Sequence, residues 1–297
     1  MRFGLFGTGP WAHMAHAPAL AAHESVELVG VWGRNPDKAA ELAALHDAKP
    51  YADADDLIAD VDAVAIALPP DVQAPIALRA ATSGKHLLLD KPVAFTNAEA
   101  DAIVSAAEDN DVASVVFFTR RLMPEIRDFV ASAQEAGGWL EGRVDHVGSI
   151  YTEGNPFGAS AWRRESGGLW DVGPHALALL LPILGPVTEV TAMAGVRDMI
   201  HVLTRHDGGA IGTMTLSVDA PPAAGREEAA IAGEAGVRTA PNAPWDPVQA
   251  LGRAIDELLA ASAGGPKPEL DVRFGARITA ILAAAQEAIR TGRTTTV

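Results

Sequence analysis

The chain has 297 residues, a length that suits two domains of ordinary size better than one core. Acidic residues outnumber basic ones 38 to 23, and the net charge of -15 argues against nucleic acid or an anionic membrane surface as a partner. Cysteine is absent, which excludes disulfides, thiolate metal sites and a cysteine nucleophile, while 48% hydrophobic and 21% charged residues predict buried cores throughout.

Met1 leads straight into an apolar strand over residues 3–6, with no basic stretch, long apolar segment and cleavage site, so a cytoplasmic protein is expected. Gly7, Thr8, Gly9, Pro10, Trp11 and Ala12 follow, a G-x-G-x-x-A turn opening a helical stretch over 12–22. In such a turn the first glycine permits the bend, the second lets backbone approach a pyrophosphate, and the small sixth residue lets helix and strand pack closely. His13 and His16 stand three apart on that helix with no third ligand nearby; they read as surface or interface residues, and no metal is expected.

A second strand over 26–32 ends at Trp32, Gly33 and Arg34. A carboxylate for the ribose 2′-hydroxyl of NAD belongs here, and none is present. Gly33 is expected to leave room, and Arg34 offers a guanidinium that pairs with a 2′-phosphate, so NADP is expected over NAD, which remains possible. Helical stretches over 39–45, 74–82 and 98–108 then alternate with apolar strands over 63–68, 86–89 and 114–118, the pattern of βαβ units around a parallel sheet. This is a doubly wound Rossmann domain over 1–120, with Leu68 and Pro69 leaving its fourth strand and Asp90, Lys91 and Pro92 its fifth. Lys91 at a strand's C-terminal end lies on the edge where open α/β sheets bind ligands, and supplies a charge and a donor there.

From 121 to 297 the pattern changes. A helix over 124–136 precedes strands over 144–151, 187–194, 201–205, 210–218 and 228–232, and helices over 247–261 and 272–291 close the chain, giving an α+β domain with an open, largely antiparallel sheet for substrate binding and oligomerisation. The apolar run 176–184 is cut by Pro182 and is too short for a membrane span, so no membrane is expected. Asp171 and His175 are four apart around Gly173 and Pro174, which suggests a helix starting just before His175. A carboxylate beside an imidazole fixes its tautomer and raises its basicity, as general acid/base work requires.

Together these segments resemble the glucose-fructose oxidoreductase and inositol dehydrogenase (Gfo/Idh/MocA) family. The carriers are Gly84-Lys85-His86 leading to Asp90-Lys91-Pro92, where that family has Glu-Lys-Pro; Asp62-Ala63-Val64 leading to Pro69; Trp162-Arg163; and Gly167-Gly168 leading to Asp171, Gly173 and His175. The resemblance implies a dehydrogenase or reductase acting on a sugar, polyol or similar small hydroxyl compound, with Lys91, Asp171 and His175 catalytic. It further implies that Trp162 and Arg163 approach the cofactor, with packing at a domain interface as the competing reading, that Arg120 and Arg121 line the cleft or form interdomain ion pairs, and that the chain is a homo-oligomer, dimer or tetramer. Gln73 stands where the family usually has histidine, and Ala178 where an acidic residue often follows. An NAD-dependent glycosidase of the same family and a non-catalytic nucleotide-binding regulator are the alternatives.

Overall fold

The computed structural model describes every residue except 243 and 244. It divides into two compact units, Met1–Leu122 with Trp245–Arg277, and Met123–Pro244 with Ile278–Val297.

The first unit holds a six-stranded sheet of β1 (Arg2–Phe6), β2 (Glu27–Trp32), β3 (Lys49–Tyr51), β4 (Ala63–Ile66), β5 (His86–Asp90) and β6 (Ser114–Phe117). The order is β3-β2-β1-β4-β5-β6 and every pairing is parallel. Strand order reverses between β1 and β4, which sets a crevice at the strands' C-terminal ends, where such sheets take ligands. Every residue of β4 and β6 is buried, as continuous apolar strands between helical layers must be. The helices are α1 (Ala17–Ala22), α2 (Pro36–Ala44), α3 (Ala54–Asp60), α4 (Pro70–Thr82) and α5 (Asn97–Asp109). Side chains cap three of them: Asn35 accepts from Lys38 N, Asp53 from Asp55 N and Thr96 from Glu99 N. The sequence pattern misses β3 and α3. The strand is only Lys-Pro-Tyr, too short to show a period, and the helix is masked by its aspartates.

The second unit holds a seven-stranded sheet of β7 (Trp139–Val147), β8 (Val187–Ala194), β9 (Ile200–His206), β10 (Ile211–Ser217), β11 (Arg226–Gly233), β12 (Gly236–Thr239) and β13 (Thr295–Thr296), ordered β12-β11-β7-β10-β9-β8-β13. Only β7 and β10 run parallel; the other pairs are antiparallel. In β9 buried and exposed residues alternate strictly, so one face of this sheet is covered and the other open. Helices α6 (Pro124–Ala136), α7 (Ala161–Gly167) and α8 (Gly173–Leu184) belong here, and α8 packs on β7, β10 and α6.

As expected, a helix, α8, starts at Gly173, just before His175. The apolar run is longer than expected: α7, a π-helical turn Gly168–Val172 and α8 are continuous over Ala161–Leu184. Pro174 is tolerated in the first turn of α8, and Pro182 sits in its last turn, so neither breaks the run. The helix therefore has 24 residues with a window of mean hydropathy 1.3, long and apolar enough for a span, and 78% of that window is buried inside the protein.

The closing helices α9 (Pro247–Ser262) and α10 (Val272–Thr291) also depart from the expected division. All of α9 lies in the first unit, packed on α1, β5 and β6, because its apolar face Ala250, Leu251, Ala254, Ile255 and Leu258 is fully buried there. The unit division falls within α10, between Arg277 and Ile278.

Candidate active site

The glycine-rich turn leaves β1 at the switch point. Gly7 N donates to Trp32 O at 2.8 Å, and Gly7 has φ 130, a region that favours glycine; a Cβ there would run into the carbonyl oxygen of Ala67. At Gly9 a Cβ would meet nothing within 4 Å. The turn thus needs glycine at position 7 for its own shape, whereas at position 9 the space outside the backbone is open, as a pyrophosphate requires. Ala12 is fully buried, and residues Ala12–His16 form a π-helical turn before α1, a distortion common at functional sites.

At the end of β2, Gly33 does not leave room for a ligand. A Cβ there would lie 2.6 Å from Thr8 Cγ2, so the space is filled by the second residue of the glycine turn itself. The consequence for charge is unchanged: no carboxylate stands there. Arg34 is exposed and makes no hydrogen bond or ion pair among the described residues, one step ahead of Asn35, the N-cap of α2.

Asp90 ends β5 with its carboxylate turned back to the first helix. Its Oδ1 accepts from Trp11 Nε1 at 3.2 Å and lies 3.4 Å from His16 Nε2. His16 is fully buried, which removes the surface half of its reading as a surface or interface residue; His13, three residues before it, is exposed. Trp11 stacks with Phe117 at 6.1 Å and Trp245 at 5.8 Å, so an aromatic stack braces the glycine turn. Lys91 is half-buried, with a cis peptide bond to Pro92. Gln73, on α4, is fully buried, and its carboxamide binds the backbone of Asp90, Pro92 and Val93. Arg121 is buried and pairs with Glu269 at 2.6 Å, so this ion pair lies inside the first unit and is not the expected interdomain one. Leu68 and Pro69 lie half-buried where β4 passes into α4.

In the second unit, the π-helical turn Gly168–Val172 carries Asp171, buried at 7% exposure, and His175 follows in the first turn of α8. Arg163 donates to both oxygens of Asp171, at 2.7 and 3.3 Å, and its guanidinium lies over the rings of Trp162 and Phe157. Arg163 thus holds the Asp171 carboxylate. The His175 ring stacks on His146 of β7, centroids 5.7 Å apart and 29° between planes. Sequence reasoning missed His146, which appears only as a polar break in a strand. Glycines 167 and 168 have a packing cause: a Cβ on Gly168 would strike the backbone oxygen of Asp198, and one on Gly167 would meet Val218 Cγ2 at 2.5 Å. Asp198, with φ 51, is held by donors from Ser217, Val218 and Asp219. Trp170 donates to Gln286 of α10 at 2.9 Å, so the motif is braced from behind as well.

Residues 1–118 match the family model described as oxidoreductase family, NAD-binding Rossmann fold, and residues 140–238 match the GFO/IDH/MocA C-terminal domain. The chain belongs to the Gfo/Idh/MocA family. Among curated relatives, UDP-N-acetylglucosamine 3-dehydrogenase of Acidithiobacillus ferrooxidans is 33% identical over 48% of this chain and 44% of its own length. The 4-carboxy-2-hydroxymuconate-6-semialdehyde dehydrogenase of a Sphingobium strain is 27% identical over 73% and 72%. The chain spans 44% to 62% of the length of the first curated relatives it matches. Among solved structures, the WlbA dehydrogenase of Bordetella pertussis, in complex with NADH and UDP-GlcNAcA, superposes with a TM-score of 0.87 at 22% identity, covering 100% of this chain and 97% of that one.

Within the Gfo/Idh/MocA frame, the two departures acquire physical content. Ala178 is fully buried in α8, so its position here is one of apolar packing. Gln73 is no loose substitution, since every hydrogen-bonding atom of its carboxamide is used.

Proposed function

We propose that this protein is an NADP-dependent dehydrogenase or reductase that interconverts a hydroxyl and a carbonyl on a sugar, polyol or comparable small polar molecule. The observation that carries the reading is the open space at Gly9, at the head of a parallel sheet whose switch point and β5 end share one edge with Lys91. The Gly7–Ala12 backbone and the first helical turn would hold the pyrophosphate, and the end of β2, with no carboxylate at Gly33 and with the exposed Arg34, would accommodate a 2′-phosphate. Bound there, the nicotinamide supplies the hydride donor or acceptor.

The chain's own groups do the rest. In the first unit, Lys91 offers its charge and its donors to an oxygen that becomes anionic. In the second unit, His175 offers an imidazole for proton exchange, and Asp171, fixed by Arg163, sets the electrostatics of the turn that precedes it. The open face of the second unit's sheet, with Leu203 50% and Met193 74% exposed, supports packing against a second copy of the chain.

The test is titration of the full chain with NADP(H) and NAD(H), followed by turnover of the reduced or oxidised cofactor against a panel of polyols, free sugars, nucleotide sugars and aldehydes. Cofactor-dependent absorbance change with one panel class is expected. Glycoside cleavage without net change in nicotinamide absorbance would replace this reading with a glycosidase, and binding without any turnover would replace it with a regulator.

A further inference from the structure

We propose that Gln73 is the positioning residue for Lys91, an inference that rests on the catalytic role given to Lys91 above. Strand β4 ends at Ile66, which pairs with Leu89 of β5, so beyond Leu89 that edge of β5 has no neighbouring strand. Asp90 is the next residue, and its backbone N–H and carbonyl need partners. One side chain supplies both. Gln73 Oε1 accepts from Asp90 N at 3.0 Å, and Gln73 Nε2 donates to Asp90 O at 2.7 Å. A carboxamide presents the same acceptor and donor as a peptide group, and here it takes the place of the missing strand.

The same amide nitrogen reaches Pro92 O at 3.0 Å and Val93 O at 3.3 Å. Contacts therefore lie on both sides of Lys91, at residue 90 and at residues 92 and 93. Gln73 itself is fully buried on α4, so the grip is anchored to the sheet's own helical layer. The direction in which Lys91 leaves the backbone is thereby set by a residue that need not touch substrate. Leucine at 73 offers no polar atom. Histidine, usual in the family at this place, offers one donor and one acceptor fixed on a ring, which cannot reproduce the two-point capture of Asp90 together with the contacts to Pro92 and Val93. Ionised glutamate would set a carboxylate against three carbonyl oxygens, and protonated glutamate would restore one donor.

The experiment compares Gln73→His, Gln73→Leu and Gln73→Glu with the unaltered chain. Three readouts are taken: NADPH affinity by tryptophan fluorescence, kcat and KM on the substrate found in the panel, and the ¹³C signal of reductively dimethylated Lys91, assigned with Lys91→Arg. The expected result for Gln73→His is a folded protein with unchanged NADPH affinity, a displaced Lys91 signal and a kcat lowered on the order of 10- to 100-fold, as ångström-scale misplacement of a catalytic group produces. KM should stay near that of the unaltered chain. For Gln73→Glu, turnover relative to the unaltered chain should recover as the pH is lowered and the buried acid takes up its proton. Unchanged kcat and an unchanged Lys91 signal in folded Gln73→His or Gln73→Leu would overturn the proposal. So would failure of all three variants to fold, which would make Gln73 a structural residue. If Lys91→Arg keeps full turnover, the catalytic reading of Lys91 fails instead, and the NMR signal still reports whether Gln73 sets the lysine's position.

Discussion

Arg163 grips Asp171 with two hydrogen bonds, at 2.7 and 3.3 Å, with side-chain exposures of 20% and 10%. Two-point contact from a planar guanidinium fixes the orientation of a carboxylate that would otherwise rotate, and the aromatic rings of Trp162 and Phe157 hold the guanidinium flat. Arg163→Met should therefore lower stability by about 1–3 kcal/mol, the cost of taking a two-point charged donor from a mostly buried carboxylate, and should lower turnover as well. Arg163→Lys should restore the charge but only part of the turnover. Calorimetry, kcat and NADPH affinity together decide: weakened cofactor binding with normal turnover would move Arg163 from Asp171 to the cofactor.

The second prediction concerns the glycine turn. A side chain at Gly9 has free space in the protein, so Gly9→Val should fold with unaltered melting temperature. The same side chain occupies the place of the pyrophosphate, so NADP(H) titration should show no saturable binding. Gly7→Val should behave differently and destabilise the fold, since its Cβ meets the Ala67 carbonyl oxygen at a φ of 130. Normal cofactor affinity in folded Gly9→Val would remove the turn from the site.

The fold was largely legible because the strands of the first unit are short apolar runs separated by capped helices, a pattern set by burial on both faces. The glycine turn was legible for the same reason, since its residues serve backbone geometry. What escaped are relationships that join distant segments. His16 reads as a surface or interface histidine until the aromatic stack and Asp90 enclose it, and Gln73 reads as a missing histidine until β4 is seen to end early. The placement of α9 follows from packing of a uniformly amphipathic helix, and nothing in its own residues says which sheet it covers. The filling of the space at Gly33 by Thr8 depends on the rotamer of a residue in a different turn, beyond the reach of any local pattern.

Cofactor choice gives the third prediction. NADPH should bind more tightly than NADH, because the end of β2 lacks a carboxylate to repel a 2′-phosphate and Arg34 carries an exposed charge. Arg34→Ala should erase most of the preference by weakening NADPH alone. Gly33→Asp should not switch the chain cleanly to NADH, since its Cβ would press on Thr8 at 2.6 Å; the double change with Thr8→Ala is the variant that should. Equal dissociation constants for the two cofactors in the unaltered chain would show that Arg34 points elsewhere.

Acid stability gives the fourth. His206 is buried, its Nδ1 2.7 Å from Gly185 O and its Nε2 3.1 Å from Thr204 Oγ1, and burial holds its pKa below the usual 6.5. Burial lowers the pKa of His86 likewise, and its Nδ1 accepts from Ala113 N at 3.1 Å, a bond that needs the neutral ring. Both pKa values are depressed in the folded state, so the unfolded chain binds more protons as the pH falls below about 6.5, and stability is lost in that direction and flat above it. The melting temperature should drop between roughly pH 7 and 5, and His206→Gln should flatten part of that drop. A drop of the same size in the variant would assign it to other groups.

The last prediction takes Lys91 and His175 each by itself. Lys91, just past the end of β5, offers a charge to an oxygen that becomes anionic, and His175, in the first turn of α8, offers an imidazole for proton exchange. Proton exchange by a positioned histidine contributes on the order of 10²- to 10⁴-fold to turnover, and a preorganised charge contributes a comparable factor. Lys91→Ala and His175→Asn should each lose activity within that range while binding NADPH normally. A purely packing role for His175, whose ring stacks on His146, predicts instead lowered stability with full activity in the folded fraction. The deciding measurement is the single-turnover rate per cofactor-binding site of each variant, taken with a substrate from the panel, because it separates the chemical step from both folding and product release.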